Sequence, residues 1–349
     1  MLVKGDRISR WIVDEVVSMG TPLHCVCHEP SDPTQRVLVK VAPRKRRRVS
    51  GGLRAEANSL RLFDHPVIPT LISAGEDRAH GAYYLATSAF EGSSIADRLI
   101  TGPLDWREAC RVFRQVADGL NHVHSHSVIH RDVTPQKILI GEDGRAHLVG
   151  FELSMDETRL SQMANAPLGA MAYVAPEVIA DPEHLGVRAD LYSLGVVFYE
   201  ALTGRTAFPA AFWGERPAPG AHVLEWKTKA RALDPGEAVP SWLSNLVRKA
   251  TDPDPEKRLP DLDAMVGWLD AAQASWFQPS APRTPPPLPR AQAEPPPLQM
   301  VAPSIAAPPV QPANVGPPIA LLHLAAAVLG MVAAMGFASL VVLFVELAA

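Results

Sequence analysis

The chain has 349 residues, with 33 Lys and Arg set against 37 Asp and Glu for a net charge of −4, and 47% of its residues are hydrophobic. That near-neutral balance gives no electrostatic footprint for nucleic acid, and the length suits a two-lobed domain with a tail. The three cysteines, Cys25, Cys27 and Cys110, are too few for a disulfide framework, and the lone C-x-C lacks the second ligand pair a zinc site needs.

In chain order, the start MLVKGDRISRW carries charges and no apolar run, so no signal peptide is expected and the bulk of the chain is placed in the cytosol. WIVDEVV, HCVCHE and RVLVKVA read as strands split by turns, and AEANSLRLF reads as a helix. The basic run Arg44, Lys45, Arg46, Arg47 and Arg48 falls in the loop between the Lys40 strand and the Glu56 helix. Such a run is ordinarily a solvated loop, and on a tethered domain it can also hold anionic lipid. It is too short and isolated to point to nucleic acid.

After Glu91 the patterns turn helical, with apolar residues at three- and four-residue spacing in WREACRVFRQVADGLNHVHSH, LYSLGVVFYEALTG and SWLSNLVRKAT. The expected fold class is α+β, bilobal, with a β-rich N-lobe over 1–90 and a helical C-lobe over 91–275. Residues 276–318 are dense in proline, which prevents ladders and favours an extended linker; PPPLPR also presents a P-x-x-P pattern for a proline-binding module. Within 319–349, Leu324 to Val345 runs for 22 residues without a charge, about the length that crosses a bilayer as a helix. A single-pass C-terminal anchor with the globular part cytoplasmic is therefore expected, although only Arg283 and Arg290 supply a positive-inside cue.

Against this frame, VIHRDVTPQKILI places His130, Arg131 and Asp132 ahead of Pro135, Ile138 and Leu139. The segment resembles the catalytic loop of eukaryotic-type Ser/Thr protein kinases, and the chain looks like a bacterial-type, membrane-anchored member of that family. The resemblance runs in order over 10–273. It implies that Lys40 is the phosphate-directed lysine, Glu56 its helix partner nine residues before His65 and Pro66, and Asp132 the base position. It also implies a pairing of Glu177, in Ala175-Pro176-Glu177, with Arg258. Leu60, Leu71, His130 and Phe151 map onto the apolar column joining the lobes, with Asp190 at its base.

The departures lie in the chemistry. The two positions that hold magnesium in the family are Gly150, in Gly150-Phe151-Glu152, and Lys137; neither supplies an oxygen, and an ammonium repels the metal. The phosphate-covering loop, VSMGTPL, has Val17, Met19 and Pro22 where the family has glycines, with Gly20 alone remaining. Leu38 replaces the small residue above the adenine ring, facing a slot to which Leu139 is also assigned. A lysine expected at 134 is Thr134, and the charge reappears at Lys137, where it either neutralises phosphate directly or points to solvent or pairs with Glu152. Gly169-Ala170 stands where the family has Gly-Thr, and Thr158 and Ser161 are candidate phosphosites.

The resulting expectation is a pseudokinase with weak or no phosphotransfer. ATP binding is expected to be weak, magnesium is not bound, and the partners are other signalling proteins or kinases at a membrane. The alternative is an active, atypical Ser/Thr kinase transferring the ATP γ-phosphate to protein hydroxyls.

Overall fold

Alternation decides the first lobe: at the start of β2 (Trp11–Ser18), in the middle of β3 (Leu23–Glu29) and in the second half of β4 (Asp32–Pro43), side chains two apart turn into an apolar cluster. Trp11, Val13, Cys25, Cys27, Val37, Val39 and Val41 form that cluster, leaving Leu38, Lys40 and Ala42 on the opposite face. With β1 (Arg7–Ile8), β5 (Leu71–Asp77) and β6 (Ala82–Ser88), these strands build one antiparallel sheet in the order β1-β2-β3-β4-β6-β5. The structure, a computed structural model, describes residues 2–154, 171–181, 186–208, 219–229 and 231–276. Thr158, Ser161, Gly169 and Ala170 lie outside the described residues, as do Arg283, Arg290, the proline-rich segment beyond its first residue and the apolar stretch 324–345. Among the described residues, no helix is long and apolar enough to cross a membrane.

Helix α1 covers Arg47–Leu60, earlier at both ends than AEANSLRLF suggests. Gly51, Gly52 and the clustered cations disfavour helix locally, but Ser50, Leu53, Ala57 and Leu60 recur at helical spacing and are buried. Packing overrides propensity here. Consequently Arg47 and Arg48 belong to the first turn of the helix and only the front of the basic run is loop. The six buried residues of β6 also escape alternation, because both faces of this strand are covered: Ala82, Tyr84 and Ala86 join the first cluster, and Tyr83 and Leu85 pack on the other side.

The second lobe begins with β7 (Gly92–Ser94), whose Ser94 caps α2 (Ile95–Thr101) through a reciprocal pair with Asp97. Helix α3 (Trp106–Ser125) starts on the Asp105 cap and buries Cys110, Phe113, Val116, Leu120 and Val123 along one face. It packs against α5 (Val187–Thr203) and α8 (Leu262–Trp276), with Phe113 stacked on Phe198 at 4.2 Å. Between them lie α4 (Pro176–Ala180), α6 (Pro219–Lys229) and α7 (Ser241–Ala250). A small sheet, β7-β8-β9, adds β8 (Ile138–Gly141) and β9 (Ala146–Leu148) beneath the first lobe. One continuous apolar cluster runs from Ala42, Leu53 and Leu60 through Phe151 to Val197 and Leu246, so a single core joins the two lobes. The two-lobed α+β architecture is as expected.

Candidate functional site

The site is organised by hairpin register. Ile138 pairs with Leu148 across β8 and β9, and the Val149 amide donates to the Lys137 carbonyl at 2.9 Å. Lys137, just before β8, is thereby brought against Gly150, just after β9. Gly150 adopts φ 93° and ψ 56°, a left-handed turn that suits a residue without Cβ, and it starts a 3-10 turn over Phe151–Leu153. A Cβ on Gly150 would lie 2.6 Å from Cδ and 2.7 Å from Nζ of Lys137. The lysine side chain therefore fills the room that a side chain at 150 would use.

Five charges alternate across the cleft. Lys40 Nζ donates to both oxygens of Glu56 at 2.7 and 2.9 Å and to Glu152 Oε1 at 3.2 Å. Lys137 Nζ then lies 3.6 Å from Glu152 Oε2 and 3.5 Å from Asp132 Oδ2. Lys40 and Glu56 are almost fully buried, whereas the side chains of Lys137, Asp132 and Glu152 keep about a quarter of their surface or less in solvent. Burial would lower the Lys40 and Lys137 ammoniums, but their carboxylate neighbours override it and raise both. Burial likewise pushes Glu152 upward, and the charges of Lys40 and Lys137 overcome it to hold that carboxyl well below its ordinary range. Glu56 and Asp132 go the other way, because burial raises each by more than its lysine neighbours lower it.

The loop carrying Asp132 is held from below. Asp190, nearly fully buried, accepts from the amides of His130 and Arg131 at 2.8 and 2.9 Å and meets His124 Nε2 at 2.8 Å. Arg131 consequently sits at φ 69°, and the His130 ring packs on Phe151 at 4.6 Å. Leu60, Leu71, His130 and Phe151 all take part in the inter-lobe packing. At the far side Arg258 makes a bidentate pair with Glu177 at 2.6 and 2.7 Å.

The remaining assigned positions are more dispersed. Gly20 lies in the exposed β2–β3 turn, its amide on Ser18 Oγ, and the neighbouring Thr21 accepts from Arg46 at 3.0 Å. Leu38 faces Thr87 across β4 and β6, and Leu139 pairs with Ser94 and His147 in the lower sheet. Two contributors were not anticipated. His24 pairs with Lys40 across β3 and β4 and is pushed down to about 4, first by burial and then by the Lys40 charge. Period-two alternation from Cys25 and Cys27 would have placed His24 on the Lys40 face. Ser59 of α1 hydrogen-bonds Ser154 at 2.6 Å, tying the Glu56 helix to the turn after Gly150; no local pattern signals that link.

The donor set at residues 137 and 150 does not fit a divalent cation, since one position offers an ammonium and the other a hydrogen. Among the described residues, no three His, Cys, Asp or Glu side chains form a group that could hold a metal ion. What the two cations meet instead is one bridging carboxylate: Lys40 and Lys137 both reach Glu152.

The family model for the protein kinase domain matches residues 24–277. The chain is similar to the serine/threonine-protein kinase PrkC of Bacillus subtilis, 30% identical over 63% of this chain and 33% of that one. It is also similar to the hormonally up-regulated neu tumor-associated kinase of Mus musculus, 31% identical over 68% of this chain and 33% of the relative. The serine/threonine-protein kinase PknL of Mycobacterium tuberculosis is 32% identical over 62% of this chain and 53% of its own length. The chain thus spans between a third and about half of the length of these relatives.

Proposed function

The chain belongs to the protein kinase domain family, and from that premise we propose that it is a catalytically impaired, membrane-anchored pseudokinase serving as a signalling scaffold or allosteric partner. One observation carries this reading: the Lys137 side chain fills the place of a side chain at Gly150, so both family metal positions are lost together. Magnesium supplies most of the charge neutralisation in phosphoryl transfer when it is bound, worth several kcal/mol, and each ~1.4 kcal/mol is about tenfold in rate. In this chain Lys137 places one positive charge there instead, already paired with Asp132 and Glu152. ATP is held weakly, with Lys40 toward phosphate, Leu38 and Leu139 toward the base and Gly20 in the covering loop.

Leu324–Val345 supplies the anchor and 276–318 the linker, keeping the domain cytoplasmic. Arg44, Lys45, Arg46, Arg47 and Arg48 then face anionic lipid, and other signalling proteins or kinases are the partners. The test is autophosphorylation and phosphorylation of a generic substrate with labelled ATP and magnesium. No transfer above background is expected, and magnesium-dependent transfer abolished by Asp132→Asn would overturn the reading.

The second reading, an active atypical Ser/Thr kinase, is favoured by the intact Lys40–Glu56 pair and by Asp132. In that case Asp132 would accept the proton of a protein hydroxyl while Lys40 and Lys137 neutralise the phosphoryl group. The same assay separates the two.

A further inference from the structure

Glu152 stands between two ammonium groups, with Oε1 3.2 Å from Lys40 and Oε2 3.6 Å from Lys137. We propose that Lys40 and Lys137 form a metal-free site for the phosphate groups of a nucleotide, and that Glu152 is the displaceable internal anion that closes it. This rests on the reading that residues 137 and 150 do not hold magnesium.

The charge count explains the closing. Glu56, Glu152 and Asp132 bring three negative charges against the two positive charges of Lys40 and Lys137, leaving −1 in a largely buried space. A further anion is repelled while Glu152 stays in place. When Glu152 leaves, the count becomes two against two. Each lysine still keeps a carboxylate, Lys40 with Glu56 and Lys137 with Asp132, so both ammoniums remain aimed at the vacated space. The lysines are thus oriented before the ligand arrives.

The backbone allows the exchange. Glu152 lies in the single 3-10 turn that follows the left-handed Gly150, and its side chain is 20% exposed, with a path to water. Glu56, by contrast, is 4% exposed in α1 and has none. A phosphate oxygen pair bridging the two lysines would take over the contacts that Glu152 makes now. No bond is made or broken in this step; one anion replaces another.

The experiment measures binding by calorimetry to the full-length protein in detergent, using ATP, tripolyphosphate and adenosine, each in EDTA and in magnesium. Glu152→Gln keeps the length of the side chain and removes its charge. It should tighten ATP and tripolyphosphate binding in EDTA by about tenfold and leave adenosine unchanged. The same gain for ATP without tripolyphosphate binding would assign the site to nucleotides only and still support the exchange. Lys137→Gln added to Glu152→Gln should cancel the gain. Glu152→Ala, melted alongside, makes the same charge change without depending on glutamine packing.

An equal gain for adenosine, or no gain in EDTA for either variant, would overturn the proposal while leaving the pseudokinase reading intact. Glu152→Gln weakening a magnesium-dependent ATP affinity of the unmodified protein would identify Glu152 as a metal ligand. That result would overturn both.

Discussion

The ammonium of Lys137 lies 2.7 Å from the point a Cβ on Gly150 would occupy, so the two substitutions compensate each other in space. Gly150→Asp alone must move the flexible Lys137 and place a side chain at φ 93°. It should cost about 1–3 kcal/mol in a denaturant melt and restore no magnesium response, because Lys137 pairs with the new carboxylate. Adding Lys137→Asn removes the crowding and the competing charge. That double variant is expected to show a magnesium-dependent ATP shift in melting temperature that neither single variant shows, and its absence would mean that the metal was lost for another reason.

Lys40 holds two carboxylates, Glu56 at 2.7 Å and Glu152 at 3.2 Å, from a position that is 6% exposed. Lys40→Met leaves Glu56 buried beside Glu152 with no cation between them. The loss should be about 3–5 kcal/mol, read as a fall in denaturant midpoint without ligand. Unchanged stability with a lost ATP response would instead confine Lys40 to nucleotide binding.

Much of this site is legible in the sequence because the family spacing names Lys40, Glu56, Asp132, Lys137 and Gly150 one by one. The Glu177–Arg258 pair and the Asp190 support are also where the motifs imply them. What spacing cannot convey is the distance across the hairpin. The Lys137–Gly150 contact depends on Ile138 pairing with Leu148, and the five-charge ladder depends on α1 packing against the turn at Phe151. The helix start at Arg47 was hidden for the reverse reason, since two glycines and a cation run argue locally against a helix that the core requires.

The proposed anchor gives a direct fractionation test. Full-length protein should sediment with membranes and require detergent for release, whereas a chain ending at Pro318 should stay in the supernatant. A full-length chain that remains soluble without detergent would contradict the anchor. Replacing Arg44, Lys45, Arg46, Arg47 and Arg48 with glutamine in the shortened chain should reduce any residual binding to anionic vesicles.

The last prediction concerns pH. His24 faces Lys40 across the sheet and is lowered from 6.5 to about 4, by burial first, then by Lys40 and Lys137 against the opposing charge of Glu152. The folded chain therefore keeps His24 neutral where the unfolded chain protonates it. Between pH 6.5 and about 4 the unfolded state binds more protons, so this residue's contribution to stability declines as the pH falls through that window. The shift corresponds to at most about 3–4 kcal/mol, and partial exposure reduces that to about 1–2. The raised carboxyls of Glu56 and Asp132 act with the opposite sign, taking up protons earlier in the folded state, so the raw profile mixes several groups. His24→Gln isolates the contribution. Its denaturant midpoint should fall less steeply than that of the unmodified chain between pH 6.5 and about 4, and the two curves should run parallel above pH 7. Parallel curves throughout would place His24 away from the lysine, with its ring free to protonate in the folded state.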